Sequence, residues 1–374
     1  MFRPCNASSL KGMAKLEFKD ALVFTGGGTG GHFFPAVALA EGVKARWPEL
    51  PIAFVGASRG IEGTHLPRSS WPHLIFEVEG FLGRSPMKIA RAAWKLWRAK
   101  AALKAQWKAQ RPRAVIGTGG YGAAPALLAA RALGIPYFLH ESNAAPGELV
   151  RRVSKEAQRV WCGMDAVIAL LPDANCLTVG TPIRSSFLRS FVKVKDLKPP
   201  FQLLVLGGSG GARAINEAML LAAPPLLEQF PDWTILHQTG AKEFERIKDA
   251  PRHERHGIVP FIEAMDAAME ASSLVISRAG ASTCAELKAA GRGAVLIPLP
   301  NSAHDHQKKN AEALGLENRA VLVGQQPNLG DHLEAHAASH MANAYARIKL
   351  GQAPELNRAV ELCLDDLAKA LGNR

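Results

Sequence analysis

The sequence predicts an α/β protein made of two Rossmann-like domains whose parallel sheets face each other across a cleft. Three observations carry this. Short apolar runs of strand character alternate with helical stretches almost throughout, the rhythm of a parallel sheet covered on both faces. That rhythm breaks at an irregular, basic stretch over residues 183–200 containing Pro199-Pro200, which reads as a linker, and then restarts. Both halves open alike, with LVFTGGGTGGH at 22–32 and LLVLGGSGGAR at 203–213, each an apolar strand, a glycine-rich turn and a helix. At 374 residues the chain is also too long for one ordinary core.

Residues 1–20 read as an extension without a signal-peptide core, because Lys11, Lys15, Glu17, Lys19 and Asp20 interrupt it. Strands at 21–25, 52–56, 74–78, 114–117 and 137–140, with helices at 35–46, 86–110 and 123–133 among those between them, make a first domain over 21–182. Beyond the linker, strands at 202–206, 234–238, 274–277, 294–298 and 321–323 make a second domain over 201–345. Residues 346–374 supply a C-terminal helix expected to pack back on the first domain. No apolar run reaches the roughly 18 residues that span a bilayer, so a cytoplasmic location is expected, free or against a membrane.

The balance of 45 basic to 33 acidic residues, a net charge of +12, favours an anionic partner: nucleic acid, an acidic lipid surface or a phosphorylated substrate. No RNA-binding signature or aromatic-interleaved basic strand supports nucleic acid. The five cysteines are scattered without a CxxC pair, which suits free thiols better than a zinc site or a disulfide framework.

The first glycine-rich turn, Gly26 to Gly31, sits between a strand and a helix, where free backbone N–H groups attract an anion such as phosphate. It satisfies GxGxxG, but the acid that a dinucleotide site needs at the end of the next strand is missing, since no Asp or Glu precedes Glu62. That argues against a dinucleotide-dependent oxidoreductase. Gly117–Gly122 follow another strand of the first half and His140–Asn143 the one after it, so three strands end in glycine-rich or polar turns at one sheet edge, where open α/β sheets bind ligands. In the second half, SRAGAST at 277–283 opens a helix with Glu286 one turn inside, where a carboxylate accepts both hydroxyls of a ribose. His304 and His306 lack a third ligand at usable spacing, so no metal site is expected.

Taken in order, these motifs resemble the MurG family of glycosyltransferases: GGGTGGHFFPAVALA at 26–40, GTGGYGAAPALLAA at 117–130, HESNAAPG at 140–147, GTPIR at 180–184, GGSGGARAIN at 207–216, SRAGASTCAEL at 277–287 and DHQKKNA at 305–311. The likeness runs from Ala21 to Val323. It implies the two-domain GT-B architecture and an inverting transfer of N-acetylglucosamine from UDP-N-acetylglucosamine, as substrate and with no cofactor, to the muramyl 4-hydroxyl of lipid I. The product is lipid II for peptidoglycan, in cell-wall growth, shape and division. Carried over by motif, Thr29, Gly30, Gly31 and Asn143 face the donor sugar and phosphates, Arg184 and Ser209 hold the diphosphate, and the Ile262 backbone reads uracil. Ala281, Ser282, Thr283, Cys284, Ala285 and Glu286 wrap the nucleotide, with Glu286 on the ribose, and Gln307 touches sugar hydroxyls. Gly119, Gly120, Tyr121 and Glu141 lie on the acceptor side. Ser142, Thr181 and Gly210 depart from the family's usual Gln, Asn and Gln.

Single displacement at the anomeric carbon needs a base for the acceptor hydroxyl and charge stabilisation for the departing diphosphate. His32, at the helix start, is the candidate base, with anchoring of its loop as the competing role. A sugar-nucleotide 2-epimerase would share the architecture and donor but needs no lipid acceptor. The helix over 86–110 places Met87, Lys88, Arg91, Trp94, Lys95 and Arg98 as a basic and aromatic face opposite a core stripe of Ile89, Ala93, Leu96 and Leu103. Such a face suits the anionic cytoplasmic leaflet of the inner membrane, where lipid I is met, alongside other cell-wall synthesis proteins.

Overall fold

In a computed structural model of the chain, residues 17–80, 85–189, 191–208, 210–300, 302, 305–343, 354 and 356–372 are described. The chain divides into two compact units, Met1–Pro182 with Arg358–Arg374, and Ile183–Asn357.

The first unit holds a parallel sheet of β1 (Leu22–Thr25), β2 (Ile52–Ala57), β3 (His73–Phe76), β4 (Ala114–Gly117), β5 (Tyr137–Glu141), β6 (Arg159–Cys162) and β7 (Cys176–Thr178), in the order β3-β2-β1-β4-β5-β6-β7. Between the strands lie α1 (Gly30–Arg46), α2 (Glu62–His65), α3 (Pro86–Ala109), α4 (Ala124–Leu133) and α5 (Glu148–Val153). The second unit runs β8 (Phe201–Leu206), α6 (Arg213–Gln229), β9 (Trp233–Gln238), α7 (Ala241–Ile247), β10 (His256–Val259), α8 (Met265–Ala271), β11 (Ser272–Ser277), α9 (Ala281–Ala290), β12 (Ala294–Leu296), α10 (His306–Leu316), β13 (Ala320–Leu322) and α11 (Leu329–Ala342). Its sheet is also parallel, in the order β10-β9-β8-β11-β12-β13.

In both sheets the strand order reverses beside the first strand, between β1 and β4 and between β8 and β11. Connections leaving these neighbours diverge to opposite faces, opening a crevice at the carboxyl edge. The glycine-rich turns follow β1, β4 and β8, so topology puts them at that crevice. The three strands missing from the sequence reading, β6, β7 and β10, are short edge or near-edge elements with polar letters that blur the apolar signal.

Buried strands pack under helices on both faces, as near-continuous apolar strand sequences require. On one face Phe33, Ala36, Leu39 and Val43 of α1 join Val360, Leu364 and Leu367 of α12 (Ala359–Leu371). A buried carboxylate pins that last helix: Asp366 accepts from Arg159 Nη2 at 2.9 Å and from Trp161 Nε1 at 2.8 Å. Residues 17–20, assigned to an extension by sequence, begin the fold, with Phe18 fully buried and set edge-on to Trp107. The stretch over 183–200 is no free linker either: Ile183, Phe187 and Phe191 are buried in the core of the second unit.

α3 departs from the expected arrangement. Its buried line is Ala92, Lys95, Ala99, Leu103 and Trp107, whereas Ile89 and Ala93 are exposed. Lys95, expected on the basic surface, is buried and donates to Glu77 at 2.5 Å and Glu79 at 2.6 Å. A lysine occupies a core position because two carboxylates beyond β3 neutralise it, and small alanines let α3 lie against α4. Trp97, which the sequence reading passed over, is 65% exposed. No helix among the described residues is long and apolar enough to cross a membrane.

Candidate active site

In the first unit three turns interlock. Gly28 has φ +94°, a conformation favouring glycine, and precedes Thr29, the N-terminal cap residue of α1. Gly27 N–H donates to the Gly119 carbonyl at 3.2 Å, and a Cβ on Gly120 would run into the Gly27 carbonyl, so the turns after β1 and β4 touch backbone to backbone. His32 lies against the second of them. A Cβ on Gly119 would fall 2.9 Å from His32 Nδ1 and one on Gly120 3.1 Å from Cδ2.

His32 Nδ1 is 3.0 Å from the Thr118 carbonyl oxygen. A carbonyl only accepts, so Nδ1 carries the proton and Nε2 presents a lone pair. Thr118 Oγ1 returns a bond to the His32 carbonyl. The ring is thus held by its neighbours through Nδ1, an arrangement compatible with either of the two roles expected of His32.

The free N–H groups expected to attract a phosphate are in part already used. Glu62, fully buried on α2, receives the Gly28 N–H at 3.0 Å on Oε1 and 2.9 Å on Oε2, and the Ala57 N–H at 3.2 Å. The chain supplies its own anion at Gly28. Burial raises the Glu62 carboxyl above its usual range, opposed by these N–H donors and by His32. In the sequence Glu62 stands only as an acid in the wrong place for a ribose, and its flanking Gly60 and Gly63 are the available signal.

Near the end of β5, His140 is buried and bonded to the Gly180 carbonyl at 2.9 Å and to Ser142 Oγ at 3.2 Å; burial pulls it down to about 4, which favours the neutral ring. Ser142, one of the departures from the family pattern, therefore has a defined partner. Glu141 takes the Asn143 N–H at 3.0 Å, Asn143 Nδ2 at 2.9 Å and the Gly147 N–H at 2.9 Å. The two polar residues singled out in this turn thus bind each other. Tyr121 starts the short 3-10 turn after the glycines, its ring beside Gly28. Thr29, Gly30 and Gly31 stand at the start of α1, with Gly31 exposed.

In the second unit Gly280 caps α9, and Ala281, Ser282, Cys284 and Glu286 are buried while Thr283 and Ala285 are half-buried. Ser282 Oγ is buried without a hydrogen-bond partner. Cys284 faces the core, its thiol pushed up to about 12 by burial. Glu286 receives Arg184 Nη2 at 3.1 Å; burial raises its carboxyl, the guanidinium lowers it, and Asp266 adds to the rise. Arg184 and Glu286, given separate tasks by the sequence reading, are an ion pair. Ser209 and His304 lie outside the described residues.

Three side chains here had no role assigned from the sequence, although Asn216 and Asn310 lie inside two of its motifs. Gln238 donates to the Gly208 carbonyl at 3.1 Å and accepts from Ile262 N–H at 3.4 Å, linking the second glycine turn to the expected base-reading backbone. Asn310 donates to the Ala279 carbonyl at 3.0 Å. Asn216 donates to the Thr239 carbonyl at 3.1 Å and bonds His237 at 3.0 Å. Gln307 Oε1 accepts from Leu299 N–H at 2.9 Å, which fixes the amide at the head of α10. Among the described residues no group of three or more His, Cys, Asp or Glu is placed to hold a metal ion.

Comparison with known proteins adds independent findings. The family models described as Glycosyltransferase family 28 N-terminal domain and C-terminal domain match residues 22–162 and 202–369. A UDP-N-acetylglucosamine--N-acetylmuramyl-(pentapeptide) pyrophosphoryl-undecaprenol N-acetylglucosamine transferase of Citrifermentans bemidjiense is 38% identical, covering 84% of this chain and 88% of its own. Among solved structures, Acinetobacter baumannii MurG aligns with a TM-score of 0.65 at 28% identity, over 92% of this chain and 99% of that one. A UDP-N-acetylglucosamine 2-epimerase also aligns, with a TM-score of 0.65 over 95% of this chain and 98% of that one, but at 15% identity, a likeness of fold alone.

Proposed function

The chain belongs to the MurG family, within glycosyltransferase family 28, and from that premise we propose how its residues carry out the reaction. The protein is a hexosyltransferase that moves N-acetylglucosamine from UDP-N-acetylglucosamine to lipid I, giving lipid II. The observation that carries this is sequence identity sustained across both units to relatives named for that transfer. The epimerase reading rests on fold likeness without such identity.

The first unit supplies the base. His32 Nε2, its lone pair exposed by the Nδ1 bond to Thr118, takes the proton of the muramyl 4-hydroxyl as that oxygen attacks the anomeric carbon, inverting it. Thr29, Gly30, Gly31 and Asn143 face the sugar, and Gly119, Gly120, Tyr121 and Glu141 shape the acceptor side. The second unit supplies the nucleotide site. The amino end of α9 offers backbone N–H groups and a positive dipole end to the diphosphate, and the unpartnered Ser282 Oγ suits the same oxygens. Arg184 and Ser209 complete the diphosphate contacts, Ile262 reads uracil, Glu286 takes the ribose hydroxyls and Gln307 the sugar hydroxyls.

Access to a lipid-linked acceptor falls to α3. Met87, Ile89, Trp94 and Trp97 are exposed there, beside exposed Lys88, Arg91 and Arg98, with the Arg98 guanidinium 4.7 Å over the Trp94 ring. Aromatic rings edged by cations suit the interface of an anionic bilayer, here the cytoplasmic face of the plasma membrane.

Incubating the protein with labelled UDP-N-acetylglucosamine and lipid I in detergent, and with donor alone, tests the reading. Lipid II formed only with both substrates supports it. Epimerised donor in the absence of lipid I would replace it.

A further inference from the structure

We propose that Glu62 is a positioning residue for this transfer: a built-in carboxylate that fills the anion site of the first glycine turn and holds His32 in its working place. The inference rests on the proposed function and adds a residue to it.

The carboxylate sits in a cage that the sequence builds from three distant stretches. A Cβ on Gly27, in the first turn, or on Gly60, after β2, would fall on the carboxylate itself, and one on Gly122, after β4, would lie 2.6 Å from Oε1. Each of these glycines is needed because Glu62 takes the space a side chain would use. Its hydrogen-bond partners at Gly28 and Ala57 are N–H donors, which favour the ionised carboxylate and oppose the effect of its burial.

The path to His32 is short and runs through backbone. Both Glu62 oxygens hold the Gly28 N–H, in a peptide whose φ of +94° only glycine adopts readily. The next residue, Thr29, offers the carbonyl that receives the His32 N–H at 3.2 Å and the Phe33 N–H at 3.1 Å. On the other side, Gly27 N–H binds the Gly119 carbonyl, and a Cβ on Gly119 would meet the His32 ring at 2.9 Å. The carboxylate therefore fixes the main chain from which His32 springs and the turn that supports its ring. It also withholds the Gly28 N–H from substrate phosphates, so this turn works as a platform for a base at the point where a dinucleotide site would bind phosphate.

A residue that only supported the fold would not separate turnover from donor affinity, and a small anion would not replace it. With wild-type transfer of N-acetylglucosamine to lipid I as the reference, Glu62→Gln is expected to lower kcat at least about tenfold while KM for the donor stays within about threefold, since a charge-assisted bond is lost in the first unit. In Glu62→Ala, formate is expected to restore kcat at least about fivefold over chloride at equal ionic strength, by refilling the vacated anion site. A Glu62→Gln enzyme with wild-type kcat, equal losses in kcat and donor affinity, or a Glu62→Ala enzyme deaf to formate would overturn the proposal. Should both variants fail to fold by circular dichroism, Gly122→Ala decides. Its methyl displaces the carboxylate at a backbone conformation open to alanine, so a selective kcat loss supports the role and unchanged kcat overturns it. Absence of transfer by the wild type would instead refute the proposed function.

Discussion

Arg184 Nη2 donates to Glu286 Oε1 across 3.1 Å inside the second unit, joining the end of one motif to a helix a hundred residues later. Both groups are mostly buried, so each depends on the other for charge balance. The proposed nucleotide site must then accommodate a pair: in that proposal Glu286 takes the ribose hydroxyls with a cation beside it, and Arg184 reaches phosphate with its partner attached.

Glu286→Ala is expected to weaken UDP binding by about tenfold to a hundredfold, the worth of bonds to a charged acceptor, while the fold survives. Calorimetric titration with UDP reads this directly. In Glu286→Ala, Arg184→Ala should cost less further affinity than it does in the wild type, because the two act as a unit. Equal costs in both backgrounds would show that the pair is not coupled in binding.

His32→Ala should lower kcat by about 10²–10⁴-fold and leave the UDP dissociation constant nearly unchanged. The Thr118 bond makes this sharper. Because Nδ1 holds the proton, His32→Asn, whose amide nitrogen stands where Nδ1 does and retains a donor toward Thr118 but no basic nitrogen, should be as inactive as the alanine variant. Substantial activity in the asparagine variant would make His32 an anchor alone.

On α3 the two kinds of lysine should part company. Changing Lys88, Arg91 and Arg98 to Gln with Trp94 and Trp97 to Ala should release the protein from acidic vesicles, at about 1 kcal/mol for each basic residue. Lys95→Gln should leave sedimentation with vesicles unchanged but lower unfolding free energy by about 2 kcal/mol, since it takes one of two cations from buried Glu79 and leaves Arg59. Vesicle binding retained by the five-fold variant would place the membrane contact on another surface.

Acid should destabilise the second unit through His237 and His256, whose rings lie 3.2 Å apart between Nδ1 and Nε2. Burial pulls them down to about 3 and about 4. In the unfolded chain each takes a proton near pH 6.5, so below that pH the unfolded state binds more protons and stability falls as the pH drops toward about 4. Urea unfolding between pH 7.5 and 4.5 should show this loss, and His256→Gln should reduce its slope. An unchanged slope in the variant would assign the acid lability elsewhere.

Local sequence specifies the two parallel-sheet units, the strands that open them and the glycine-rich turns that follow. Buried parallel strands must be apolar runs, glycine must stand where backbone meets backbone, and both are written in consecutive letters. The order and spacing of seven motifs also marked the family. What it could not reveal were relations among side chains far apart in the chain. Lys95 reads as one more cation on a basic helix, and only Glu77 and Glu79 make it a core residue. Arg184 and Glu286 read as separate ligand contacts, and only their 3.1 Å approach makes them a pair. Glu62 reads as an acid out of register; the tertiary structure places it under three glycines as the anion of the first turn. Local letters fix backbone form and burial pattern, whereas the sign and meaning of a buried charge depend on which groups the fold brings within a few ångströms of it.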